Sequence, residues 1–144
     1  VGYAHLAAPA DTFREQVWQH EMKADVAGNV SVALVNDALP LGLEVTTRKA
    51  EFPCTYEWQH LQSGAYAFGI EPATHHVLGN GFARERGEMI WLEHGDTRSY
   101  GAVLRVLVDA RDIAESERRI SDTQVQPKDP YPVPSGDFRH ILGR

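Results

Sequence analysis

Two stretches of alternating residues constrain the fold of this chain more than any other feature. Between positions 30 and 35, Val30, Val32 and Leu34 fall on one side of an extended backbone and Ser31, Ala33 and Val35 on the other. Between 43 and 48, Leu43, Val45 and Thr47 alternate with Glu44, Thr46 and Arg48. A period of two is the pleat of a β-strand and does not fit the 3.6-residue repeat of a helix. The β-branched content of both runs points the same way.

Turn signals place further strands around these two. Ala27-Gly28-Asn29 reads as a turn, so the segment Arg14 to Lys23, with Val17, Trp18 and Met22, is expected to pair with the 30 to 35 run as a hairpin. Pro53 ends or bends the 43 to 48 strand. Tyr56 to Leu61 is short and ambiguous, Ser63-Gly64 is a turn, and Ala65 to Pro72 reads as a strand. Met89 to Leu92 and the β-rich run Thr97 to Val108, on either side of Gly95, are expected to form a second hairpin. Ala110 to Ile120 changes to a charged pattern with Glu115 and Arg119 at helical spacing, which predicts a short helix. Pro127, Pro130, Pro132 and Pro134 exclude regular structure after Gln124. The expected architecture is all-β, a β-sandwich or part of one, with one domain over 1–122 and a Pro-rich extended tail over 123–144.

The bulk properties narrow the classes of function. A chain of 144 residues fits one domain, which at this size buries roughly two thirds of the surface its unfolded form exposes. The net charge of −6 argues against a nucleic-acid backbone as partner, since phosphate binding needs a surface surplus of Lys and Arg. There is no apolar run of membrane-spanning length and no signal-peptide pattern at the N-terminus. A single cysteine, Cys54, forms no internal disulfide, which makes a reducing compartment, the cytoplasm, the expected location.

The chemistry-bearing residues concentrate on one strand. In Ala65-Tyr66-Ala67-Phe68-Gly69-Ile70-Glu71, Tyr66, Phe68 and Ile70 take one side, read as core, while Ala65, Ala67, Gly69 and Glu71 take the other. That second side has almost no side-chain volume until Glu71. Either another backbone approaches it closely or a cleft lies over it with one acid at its end; an edge carboxylate in water, or paired with an arginine, fits the pattern too.

His75 and His76 follow, and adjacent histidines on an extended chain point in opposite directions. They read as a polar loop, or as one imidazole that donates hydrogen bonds to a substrate or acts as an acid near neutral pH. Neither an HExxH nor a paired-cysteine pattern accompanies them, so no metal or other cofactor is expected. Cys54, beside Pro53, reads as a small buried side chain rather than a nucleophile. Of Trp18, Trp58 and Trp91, strand aromatics are mostly core, and one is assigned to stack on a sugar face.

The order of four short motifs adds a resemblance. Phe13-Arg14-Glu15-Gln16-Val17-Trp18-Gln19-His20, Gly42-Leu43-Glu44-Val45-Thr46-Thr47, Gly69-Ile70-Glu71-Pro72-Ala73-Thr74 and Leu92-Glu93-His94-Gly95-Asp96-Thr97-Arg98-Ser99-Tyr100 occur in that sequence. Over roughly 10–110 the chain resembles the C-terminal half of an aldose 1-epimerase, and most closely a divergent branch of bacterial epimerase-like proteins. The resemblance implies part of a galactose-mutarotase-like β-supersandwich of about twice this length. It implies that Glu71 is the general base that takes the proton from the anomeric hydroxyl. Glu15 falls where the family binds a sugar hydroxyl through an aspartate; the histidine that follows is Gln16 here, and the family's glutamine after the base is Ala73. His20, His76 and Arg84 are further candidates for the substrate wall.

Mutarotation also requires an acid to protonate the ring oxygen. The resemblance implies a histidine for this in an Asn-rich upstream segment that these residues do not contain, so His20, His76 or another chain would have to supply it. The expected partner is a monosaccharide or sugar derivative, with association into a homo-oligomer or with a missing N-terminal half as a further expectation. A non-catalytic carbohydrate-binding protein is the alternative from another class, and a metal-dependent β-fold enzyme using His75 or His76 is a third.

Overall fold

In the computed structural model, which describes residues 2–123, both alternating runs are strands paired with each other. The elements follow in the order β1 (Gln16–His20), β2 (Asn29–Asn36), β3 (Leu41–Arg48), β4 (Cys54–His60), β5 (Ala67–Ala73), α1 (Gly79–Glu85), β6 (Ala102–Leu107) and α2 (Ala110–Ser121). They form two three-stranded antiparallel sheets, ordered β1-β4-β5 and β2-β3-β6. The Pro-rich tail expected over 123–144 lies, apart from Thr123, outside the described residues.

The β2-β3-β6 sheet follows directly from its sequence pattern. Val30 pairs with Thr47, Val32 with Val45 and Leu34 with Leu43, so the apolar sets of β2 and β3 share one face. The opposite face carries Glu44, which is 4% exposed. Helix α2 covers that face, and Arg119 Nη2 donates to Glu44 Oε2 at 2.7 Å. Asp109 caps the helix by accepting from Asp112 N at 2.8 Å. Burial raises the Glu44 carboxyl, but the Ser116 hydroxyl and the Arg119 guanidinium outweigh it and hold it below its ordinary range.

Two expectations are corrected and one open reading is settled. β1 pairs with β4 instead of β2. The Ala27-Gly28-Asn29 turn closes back on Asp25, whose carboxylate accepts from Ala27 N and Asn29 N, so it ends the β1–β2 connection without reversing one strand onto the next. The ambiguous segment Tyr56 to Leu61 is the body of the central strand β4, whose Thr55, Glu57 and Gln59 are buried despite their polarity. Met89 to Leu92 forms no strand and hence no hairpin with β6; Trp91 and Leu92 stand 66% and 57% exposed. The predicted helix over 110–120 is present as α2, while α1, which begins at Gly79-Asn80-Gly81, was not expected from the sequence.

Candidate functional site

The register of β1-β4-β5 decides which side chains can meet. Val17 lies opposite Trp58 and Trp58 opposite Gly69; Gln19 lies opposite Tyr56 and Tyr56 opposite Glu71. Directly opposed residues project from the same face of a sheet. One face therefore carries Val17, Gln19, Tyr56, Trp58, Gly69 and Glu71.

On that face lies an open cleft of about 400 Å³ lined by Glu15, Val17, Trp58, Glu71 and Val77. Glu15 stands just before β1, and its Oε1 accepts a hydrogen bond from the Trp58 indole Nε1. Glu71 is exposed and folds back over Gly69; a Cβ at position 69 would lie 2.8 Å from Glu71 Oε1. The small side of β5 thus makes room for the carboxylate itself rather than for another backbone.

Beside the cleft, the loop after β5 is tied to the sheet through Tyr56, which is 1% exposed. The Tyr56 hydroxyl lies 3.0 Å from His76 Nδ1, donates to Gln19 Oε1 at 3.3 Å and accepts from Val77 N at 3.3 Å. Burial pushes its phenol up to about 12, against the opposing Val77 N–H. Cys54 Sγ lies 3.9 Å from the same His76 nitrogen. Burial, and then the nearby Glu88 carboxylate, raise the Cys54 thiol while Lys49 opposes them, so it remains a thiol.

The sequence-predicted site residues divide into two groups. Glu71 and Glu15 line the same cleft, and His76, which is not part of its lining, lies 3.0 Å from the Tyr56 hydroxyl through Nδ1 and 3.8 Å from Glu88 Oε1 through Nε2. His20 projects from the opposite face of the sheet, where its Nε2 lies 3.2 Å from Glu57 Oε2. Arg84 is on α1, exposed, with its guanidinium 5.8 Å from the centre of the Trp91 ring. His75 Nδ1 lies 2.8 Å from the His76 carbonyl. Among the described residues, no three His, Cys, Asp or Glu side chains gather as a metal cage. No helix among them is long and apolar enough to cross a membrane.

Trp58, one of three interchangeable tryptophans in the sequence, is the one in the cleft; Val17 and Val77 carried no functional signal. The period of two in Cys54 to His60 sets Tyr56 and Trp58 on one side, and that was the available clue.

A model of the family described as a domain of unknown function, DUF4432, matches residues 2–106. The chain belongs to this family. The match spans all of β1 to β5 and most of β6, so the cleft of this DUF4432 member lies wholly inside it. No curated protein matches the chain. A crystal structure of a putative aldose 1-epimerase from Klebsiella pneumoniae is similar to it, with a TM-score of 0.76 and 24% identity. The match covers 84% of this chain and 32% of that one. The DUF4432 chain therefore has two antiparallel sheets that match an aldose epimerase-like β-sandwich fold, and it spans about a third of that structure's length.

Proposed function

We propose that this chain carries the sugar-facing, base-bearing part of a protein that interconverts the anomers of an aldose, with Glu71 as the general base. The observation that carries the reading is the meeting of Glu71 and Glu15, distant in sequence, around one indole in an open cleft. A flat aromatic beside two acceptor carboxylates suits a ring that presents hydroxyls at its edge and C–H groups on its face. In the proposed step Glu71 takes the proton from the anomeric hydroxyl. The O1–C1 bond gains double-bond character as the C1–ring oxygen bond breaks, and the ring oxygen takes a proton from an acid. After rotation about C1–C2 the ring hydroxyl returns its proton to the acid as its oxygen re-forms the bond to C1, Glu71 gives its proton back to O1, and the other anomer results. Glu15, held by the Trp58 indole, accepts from a second hydroxyl and fixes the ring against the indole.

One feature favours a second reading, in which the chain binds sugar without turning it over. The cleft lining holds two carboxylates and no imidazole, and His76 is engaged with Tyr56 instead. In the catalytic reading the acid comes from chain that completes the fold, or from a second copy. A free buried thiol at Cys54 suits a reducing compartment such as the cytoplasm.

Polarimetry of freshly dissolved α-D-glucose and α-D-galactose separates the two readings. The catalytic reading expects acceleration above the spontaneous rate and its loss in Glu71→Gln. Equal rates for both proteins at the spontaneous value, with sugar still bound, would leave only the binding reading.

A further inference from the structure

The charge of the cleft between Glu15 and Glu71 is unbalanced. Its lining carries two carboxylates and no lysine, arginine or histidine. Among the described residues neither carboxylate enters an ion pair, and Glu71 accepts no hydrogen bond. The cleft therefore holds a negative potential that these residues leave unneutralised.

Both acids are tied to one indole. Glu15 Oε1 accepts from Trp58 Nε1. Glu71 folds back over Gly69, the residue directly opposite Trp58 on β5, so that a Cβ at position 69 would lie 2.8 Å from its Oε1. An indole face attracts a cation through its negative quadrupole, and an anion held on the indole N–H makes that face more electron-rich. Val17 and Val77 complete the lining with apolar surface, which strengthens both attractions relative to open water.

The choice among sugars follows from this charge. A sugar phosphate or a uronate would bring an anion against two carboxylates. A neutral ring can donate hydrogen bonds to them but leaves their charge in place. A ring that bears an ammonium does both, since a hydrogen bond between opposite charges is about twice as strong as a neutral one, and the cation also suits the indole face.

We infer that the ligand of this cleft is an aminodeoxy aldose with a free ammonium, held by Glu15 and the face of Trp58, in preference to a neutral, N-acylated or acidic sugar. The inference rests on the sugar reading of the cleft and adds the charge of the ligand. Glu71 keeps the anomeric hydroxyl, so charge selection and anomeric chemistry fall to different carboxylates.

The test titrates D-galactosamine, D-galactose, N-acetyl-D-galactosamine and D-galacturonate into the 15N-labelled chain, following the Trp58 indole N–H resonance at about pH 6, where such an amine is protonated. Galactosamine is expected to bind at least about tenfold more tightly than galactose, and the ratio should shrink as salt is raised to about 0.5 M. The N-acetylated sugar and the uronate should bind no more tightly than galactose. In Glu15→Gln the ratio of galactosamine to galactose affinity should drop to about threefold or less. A smaller ratio than tenfold in the wild type, or a Trp58 resonance that galactosamine leaves unmoved, overturns the inference. So does a ratio that survives Glu15→Gln, which would assign the preference to the net charge of −6 rather than to the cleft. The N-acetyl comparison removes the charge from the ligand and needs no variant to fold. Galactose that binds without any advantage for galactosamine sinks this inference and leaves the sugar reading standing. A Glu15-dependent preference with polarimetry at the spontaneous rate keeps it and removes only the catalytic reading.

Discussion

Replacing Gly69 with alanine moves the Glu71 carboxylate and little else. The added Cβ would meet Glu71 Oε1 at 2.8 Å, Cγ at 3.4 Å and Cδ at 3.5 Å, all atoms of one exposed, flexible side chain. Restoring ordinary contact displaces the carboxylate oxygen by about 0.6 Å. A misplacement of about 1 Å in a reacting group costs on the order of 100-fold in rate, so a loss of roughly tenfold is expected in anomer interconversion. The stability change is small. An off-rotamer side chain costs about 0.5–1.5 kcal/mol, and the alanine recovers about 0.4–1 kcal/mol by restricting the unfolded chain. Polarimetry and a thermal melt on the same sample read both quantities. A Gly69→Ala protein with an unaltered rate would refute the reasoning, because the position of the Glu71 carboxylate would then not matter. A rate that falls only in proportion to unfolded protein would refute it equally.

Arg119→Met strands the buried Glu44 carboxylate and should cost about 2 kcal/mol in urea unfolding at neutral pH, a figure already discounted for the 37% exposure of the Arg119 side chain. Because Glu44 is held below its ordinary value of 4.5, its contribution is present above that pH and is lost as pH falls through the folded value; Glu44→Gln should lack this acid limb. Tyr56→Phe removes the hydroxyl that joins Gln19, His76 and Val77 and should cost about 1–2 kcal/mol in a thermal melt. In the wild type, stability should also fall between pH 10 and about 12, where the unfolded phenol ionises and the buried one does not, and this limb should be missing in Tyr56→Phe. β6 is an edge strand with Leu104 and Val106 exposed at 65% and 60%. Replacing both with lysine should reduce concentration-dependent association in sedimentation velocity.

What could be read from the sequence was what obeys local rules. The β2 and β3 runs show the period of two of an extended backbone, and α2 is legible in the helical spacing of Glu115 and Arg119, although in the fold Glu115 pairs with Arg111 and Arg119 reaches Glu44. β4 escaped notice for the opposite reason. Thr55, Glu57 and Gln59 are buried by their neighbours on β1 and β5, so a segment polar on one side gives no hydrophobic signal for a central strand. The pairing of β1 with β4 is a long-range choice that no turn residue encodes. On the site, the isolation of Glu71 among Ala67 and Gly69 was visible, but its companions were not. Glu15 reaches it only because β1 and β5 flank the same strand, and the period of two sends His20 to the far face even though the same short motif contains both.

A crystal structure with D-galactose bound tests the assignment of Glu71 most directly. The predicted result is a pyranose ring over Trp58 with its anomeric hydroxyl within about 3.2 Å of a Glu71 carboxylate oxygen, the reach a general base requires. A ring bound at full occupancy elsewhere, with the cleft between Glu15 and Glu71 empty, would contradict it.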